Sequence, residues 1–102
     1  MEGLEVISAE EVQKKLKAGE KLELIDVRED EEVAQGMISG VKHIPMGDIP
    51  MNLDYFQEDK EYILICRSGR RSEVVGWFLH DHGVKVRNMV GGMQEWKGEI
   101  VL

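Results

Sequence analysis

The sequence holds one cysteine, Cys66, in 102 residues. A lone cysteine cannot close an internal disulfide, so the covalent staples of small oxidised domains are excluded. No apolar run approaches the ~20 residues of a membrane-spanning helix. The first five residues, Met-Glu-Gly-Leu-Glu, lack the basic start and long apolar run of a secretory signal. Basic charge is scarce: 13 Lys and Arg stand against 20 Asp and Glu, a net charge of −7. That balance argues against nucleic acid or an anionic membrane as a partner. There is no internal repeat, no low-complexity tract and no linker. No histidine lies near Cys66 in sequence to act as its base. His43, His80 and His82 lack the spacing of metal ligands, and His80 and His82 would face different sides of a helix. The expectation is a cytoplasmic protein with residues 1–102 forming one domain, with no metal, no cofactor, no nucleic-acid partner and no membrane partner.

What the sequence does have is concentrated in Tyr62-Ile-Leu-Ile-Cys66-Arg-Ser-Gly-Arg-Arg-Ser72. A strand-like apolar run enters the cysteine. A turn with one glycine and three arginines follows. From Glu73 the spacing of Val74, Val75, Phe78 and Leu79 is helical. A strand that breaks sharply into a helix leaves backbone N–H groups pointing into the turn, and the helix adds the positive end of its dipole. Together they form an anion nest with Cys66 at its mouth. A cysteine ending an apolar strand is ordinarily a small buried hydrophobe. The six residues after it point the other way. Arg67, Arg70 and Arg71 crowd one turn, and like charges so placed repel unless an anion sits among them. The expectation is a reactive thiolate in an electropositive, partly exposed site.

Elsewhere, strand and helix signals alternate. Leu4–Ile7 reads as a strand, with Ser8 as the N-cap of a helix carrying Val12 and Leu16 on one face. Lys21–Val27 reads as a strand of nearly continuous apolar character, the pattern of a strand buried on both faces. Glu29–Gln35 reads as a short acidic helix closed by Gly36. Lys42–Pro45 reads as an edge strand stopped by proline, and Leu53–Gln57 as a helical turn. A helix over Ser72–His82 stops at Gly83, Val84–Val90 forms a strand, and a last helical piece starts at Met93. This alternation predicts an α/β fold with a mainly parallel central sheet. Ligands of such sheets bind beyond the carboxyl ends of the strands, where Cys66 lies.

Four segments together resemble a known family. They are Leu24-Ile-Asp-Val-Arg-Glu29, Gly36-Met-Ile-Ser-Gly-Val-Lys-His-Ile-Pro45, the Cys66–Ser72 loop, and Gly91-Gly92-Met-Gln-Glu-Trp96. In this order and spacing they resemble a single-domain rhodanese, a sulfurtransferase that carries sulfur as a cysteine persulfide. Met37 and Ser39 depart from the family's usual histidine and proline, in a segment held to be structural. The resemblance implies a five-stranded parallel sheet flanked by helices, with Cys66 as the sulfur acceptor. It implies a small-molecule donor such as thiosulfate and a cyanide or thiol acceptor, with a sulfur-relay protein as a further partner.

For that chemistry the loop divides into roles. Cys66 is the catalytic residue. Arg67 and Arg70 would stand at the pocket mouth and attract an anionic donor. Arg71 would brace the loop or touch substrate, since an arginine fork suits both. Ser68 and Ser72 offer hydroxyl donors, and Ser72 is also a candidate N-cap. Gly69 supplies a backbone angle that a side chain would resist. Asp26 and Arg28 read as a structural ion pair at a strand end, Trp77 and Trp96 as packing groups, and Met46 and Met51 as core or entrance residues. Two rivals stand beside this reading: a non-catalytic rhodanese-fold binding module, and a cysteine phosphatase or arsenate reductase. Binding modules usually lose the cysteine or the basic loop. Cysteine phosphatases use Cys-x5-Arg, whereas the spacing to Arg71 is Cys-x4-Arg and Ser72 stands at the phosphatase arginine position.

Overall fold

The structure, a computed structural model, describes residues 3–102. Five strands form one sheet: β1 (Glu5–Ser8), β2 (Glu23–Asp26), β3 (Lys42–His43), β4 (Glu61–Ile65) and β5 (Lys85–Val90). Their order across the sheet is β1-β5-β4-β2-β3, and every neighbouring pair is parallel. This is the five-stranded parallel sheet flanked by helices that the resemblance to rhodaneses implied. β4 is the central strand, with β2 and β5 on either side. The proline-stopped Lys42–His43 strand lies at an edge, where a missing ladder donor costs least.

Three helices connect the strands: α1 (Ala9–Lys17), α2 (Asp30–Val33) and α3 (Arg70–Asp81), with 3-10 turns at Pro50–Tyr55 and Gly92–Glu95. Ser8 caps α1 as its sequence position suggested, accepting the Glu11 N–H at 3.0 Å. α2 is shorter than the Glu29–Gln35 expectation. Glu29 is its N-cap, and Gly36 closes it by donating to the Val33 carbonyl.

The alternation of side chains along β4 decides where the cysteine goes. Tyr62, Leu64 and Cys66 join Val75 and Leu79 of α3 in one apolar cluster, while Ile63 and Ile65 join Val12 of α1 in the other. Successive residues of a strand face opposite sides. Cys66, one residue past β4, keeps that period. Its side chain therefore enters the layer under α3, whose N-terminus sits directly over the strand end.

Candidate functional site

Cys66 is fully buried. This corrects the expectation of a thiol at the mouth of the nest: Sγ lies on its floor. The strand alternation turns the side chain inward, and the start of α3 wraps it. The nest itself is present. Gly69 N–H donates to Sγ at 3.0 Å and Ser72 N–H at 3.4 Å, and the Ser72 hydroxyl oxygen lies 3.2 Å from Sγ. Burial pushes the thiol up. The hydrogen bonds from the Ser72 hydroxyl and from the Ser72, Gly69 and Ser68 N–H groups outweigh it and hold Cys66 below its ordinary value. These contacts shift the balance toward the thiolate.

The helix begins earlier than the apolar spacing suggested. Gly69, not Ser72, is the N-cap, at φ 98° and ψ −6°. This left-handed conformation comes readily to glycine. Ser72 is therefore the third residue of α3, and its N–H is one of the donors that a first helical turn leaves without a partner. Starting the helix at Arg70 is what aims that N–H at sulfur. The cost falls on Arg70 and Arg71, which stand in the first turn, where the dipole disfavours cations.

Those arginines separate. Arg67 and Arg70 are exposed, as is Ser68. Arg71 gives both arms of its fork to Glu32 of α2, at 2.7 and 2.8 Å. Glu32 also accepts the Glu29 N–H at 2.9 Å. One carboxylate thus ties the Cys66–Ser72 loop to α2. The Arg71 hydrogen bonds hold Glu32 down at about 2, against burial that pushes it up. A free glutamate titrates near ~4.3. The folded-state value is depressed, so the stabilisation is present above the unfolded value and lost as pH falls through about 2. Glu32→Gln is expected to cost about 0.5–1 kcal/mol at neutral pH. Urea midpoints measured at neutral pH and at pH ~3 should differ between the two proteins by less in acid.

Beneath the loop, Asp26 and Arg28 form the buried pair that their place at a strand end suggested. Arg28 Nε and Nη2 reach Asp26 at 2.9–3.1 Å, and Nη2 donates to the Gly36 carbonyl at 2.8 Å. A cleft of about 620 Å³ opens beside the loop, with Arg67, Arg28, Glu32, Met93 and Trp96 in its walls. Met46 instead borders a small apolar cavity with Val74 and Phe78, and Met51 is exposed. Trp96 packs against the core while lining the cleft. Among the described residues no cluster of potential metal ligands occurs, and no helix is long and apolar enough to cross a membrane.

Two features of the site escaped the sequence reading. The first is Asn88 of β5, buried, whose Nδ2 donates to the Gly69 carbonyl at 3.0 Å and whose Oδ1 lies 2.5 Å from the Ser72 hydroxyl oxygen. The available signal was the strand period, which puts Asn88 on the same face as Val84, Val86 and Val90, a polar residue in an apolar row. The second is the turn after β5. Met93 N–H donates to the Cys66 carbonyl at 2.8 Å and Gln94 N–H to the Arg67 carbonyl at 2.9 Å. With those carbonyls held outward, the loop is fixed from behind while its amides face the sulfur.

Comparison with known proteins agrees with this geometry. A family model described as a rhodanese-like domain matches residues 8–99. A Bacillus subtilis protein, named Putative sulfurtransferase YtwF, is 53% identical over 93 residues, covering 91% of this chain and 90% of that one. A second Bacillus subtilis protein, named Putative sulfur carrier protein YrkF, is 40% identical over 94 residues, covering 91% of this chain and 51% of its own length. Among solved structures, a rhodanese-like domain protein from Staphylococcus aureus superposes with a TM-score of 0.92 at 36% identity, covering 97% of this chain and 98% of the other. Sheet order, loop geometry and these relatives agree: the chain belongs to the rhodanese-like family, whose relatives here are named for sulfur transfer.

Proposed function

We propose that the protein is a sulfurtransferase of the thiosulfate type that carries sulfane sulfur as a persulfide on Cys66. The observation that supports this most is the convergence of the Gly69 and Ser72 N–H groups on Sγ at 3.0 and 3.4 Å. In the first half-reaction the Cys66 thiolate attacks the outer sulfur of thiosulfate. A new S–S bond forms, the sulfur–sulfur bond of the donor breaks, and sulfite leaves with the bonding pair. The charge of the enzyme then resides on the outer sulfur, which the nest amides stabilise as an oxyanion hole stabilises oxygen. In the second half-reaction cyanide or a thiolate attacks that outer sulfur. The S–S bond breaks and Sγ departs as a thiolate, ready for another cycle.

Because Sγ is fully buried, donor entry requires the atoms that cover it to shift. Arg67 and Arg70 lie on the outer side of the loop, where a dianionic donor is attracted. Arg71, committed to Glu32, braces the loop. Ser68 and Gly69 contribute backbone N–H groups, and Ser72 contributes both N–H and hydroxyl. Cys-x5-Arg phosphate chemistry is disfavoured, because Ser72 stands where that loop would present a bidentate guanidinium. The intact cysteine and basic loop disfavour a purely binding role. A thiol on another protein is a natural acceptor, and the relative named as a sulfur carrier favours that reading of the partner.

The test is intact mass after incubation with thiosulfate. The expected result is a gain of one sulfur atom, removed by reductant and absent in Cys66→Ser. No adduct on the folded wild-type protein would overturn the proposal, and turnover of an aryl phosphate would replace it with phosphatase chemistry.

A further inference from the structure

The Ser72 hydroxyl carries one proton and has two claimants. Its oxygen lies 3.2 Å from Cys66 Sγ and 2.5 Å from Asn88 Oδ1. Asn88 cannot turn its amide to relieve the competition, because Nδ2 donates to the Gly69 carbonyl at 3.0 Å. That bond leaves Oδ1, which can only accept, facing Ser72. Both side chains are buried, so no solvent stands in for a missing partner. Asn88 also sits on β5, paired in register with Leu64 of β4, two residues before the cysteine, so it is held by the sheet and not by the loop.

The hydrogen-bond inventory is complete for a neutral sulfur. A thiol donates S–H to the Ser72 oxygen, and Ser72 donates O–H to Asn88. For a thiolate it is one donor short. Sγ then has nothing to donate, the Ser72 O–H turns to it, and Asn88 Oδ1 gives up its donor. We propose that Asn88 is a positioning residue for sulfur transfer: it holds the Ser72 hydroxyl proton whenever Sγ is uncharged and yields it when Sγ becomes a thiolate. The inference rests on the persulfide reading for its place in the cycle. In the loaded enzyme Sγ is an uncharged divalent sulfur, and the Ser72 O–H points to Asn88. When an acceptor takes the outer sulfur, the electron pair of the S–S bond goes to Sγ, and the same O–H swings across to meet the departing thiolate. No proton enters or leaves the site.

Asn88 thus works against the thiolate, and its removal has an unusual sign. Freed from Asn88, Ser72 donates to Sγ without competition. The Cys66 titration midpoint in Asn88→Leu should fall, by up to about one pH unit for one charge-assisted hydrogen bond. A better leaving thiolate should also raise the rate at which cyanide discharges the persulfide, by up to about tenfold. A merely structural role predicts the reverse. Loss of the Gly69 anchor alone would loosen the nest amides and raise the midpoint. Among charged side chains, Arg71 is electrostatically coupled to Cys66 and is itself paired with Glu32, and neither is altered by the variant.

The experiment follows thiolate ultraviolet absorbance against pH for the wild type, Asn88→Leu, Ser72→Ala and the double variant, each read against Cys66→Ser. The expected result is a lower midpoint in Asn88→Leu and a higher one in Ser72→Ala, with no further effect of Asn88→Leu in the Ser72→Ala background. A raised or unchanged midpoint in Asn88→Leu overturns the proposal, as does an equal shift in both backgrounds. Should leucine not fit, Asn88→Val carries the same expectation. These titrations need no sulfur donor. A failure of persulfide loading is therefore read separately, from the mass of the wild-type protein.

Discussion

Gly92→Ala is expected to destabilise the protein by about 2–4 kcal/mol and to remove most of its sulfur loading. The methyl group would stand 2.4 Å from the Cys66 carbonyl oxygen and 2.6 Å from the Arg67 carbonyl carbon and oxygen. All three are backbone atoms of the loop that forms the nest, so relief must come from moving the loop. At φ +57° alanine is strained as well. Displacing the Cys66 and Arg67 carbonyls would also break the bonds they accept from Met93 and Gln94, and the amides facing Sγ would turn with them. Gly91→Ala is the control. Its φ is also positive, at +78°, but the added methyl would meet the Glu95 side chain, which can swing away. The expected order, in denaturant midpoint and in thiosulfate loading, is a small loss for Gly91→Ala and a large one for Gly92→Ala. Equal losses would mean that backbone angle alone matters and that the close approach to Cys66 does not.

Asp26→Leu is expected to cost about 3–5 kcal/mol. Both partners of the pair are buried, and the variant leaves the Arg28 guanidinium with a single protein acceptor, the Gly36 carbonyl. The asymmetry lies in desolvation: an ion pair inside a protein contributes little net, but half of one is costly. The double variant Asp26→Leu/Arg28→Met should therefore be more stable than Asp26→Leu alone, though it carries more changes. Equilibrium urea unfolding of the three proteins measures this directly. A double variant less stable than the single one would show that the pair contributes through packing and the Gly36 contact and not through paired charge.

Much of the site was readable from residues because its parts are contiguous. Tyr62–Ile65 announces a buried strand by composition, the cysteine ends it, and a glycine among arginines marks the turn. What the sequence could not place is whatever depends on a single helical turn or on distant segments. Apolar spacing starts the helix at Glu73, but the chain enters it at Arg70, because Gly69 can take the left-handed cap and the three residues between carry no apolar face to betray them. Ser72, readable as either a hydroxyl donor or a cap, consequently turns both its N–H and its hydroxyl to sulfur from the third helical position. Arg71 left bracing and substrate contact equally open until Glu32, 39 residues earlier in sequence, proved to fill its fork. Asn88 was hidden for the same reason: its partners lie 16 and 19 residues away. The burial of Cys66 follows from the strand period, which was legible in principle. The residues of the loop point instead to a mouth position, because reactive thiols are usually partly exposed.

The reactivity of Cys66 is electrostatic in origin, and one titration addresses it. Cys66 is the single cysteine of the chain, so the thiolate absorbance of the folded wild-type protein, less that of Cys66→Ser, reports one group. The loop amides and the Ser72 hydroxyl predict a midpoint below the ~8.5 of an unperturbed cysteine. A midpoint at or above that value would mean that burial outweighs the nest, leaving an inert core thiol at the end of β4.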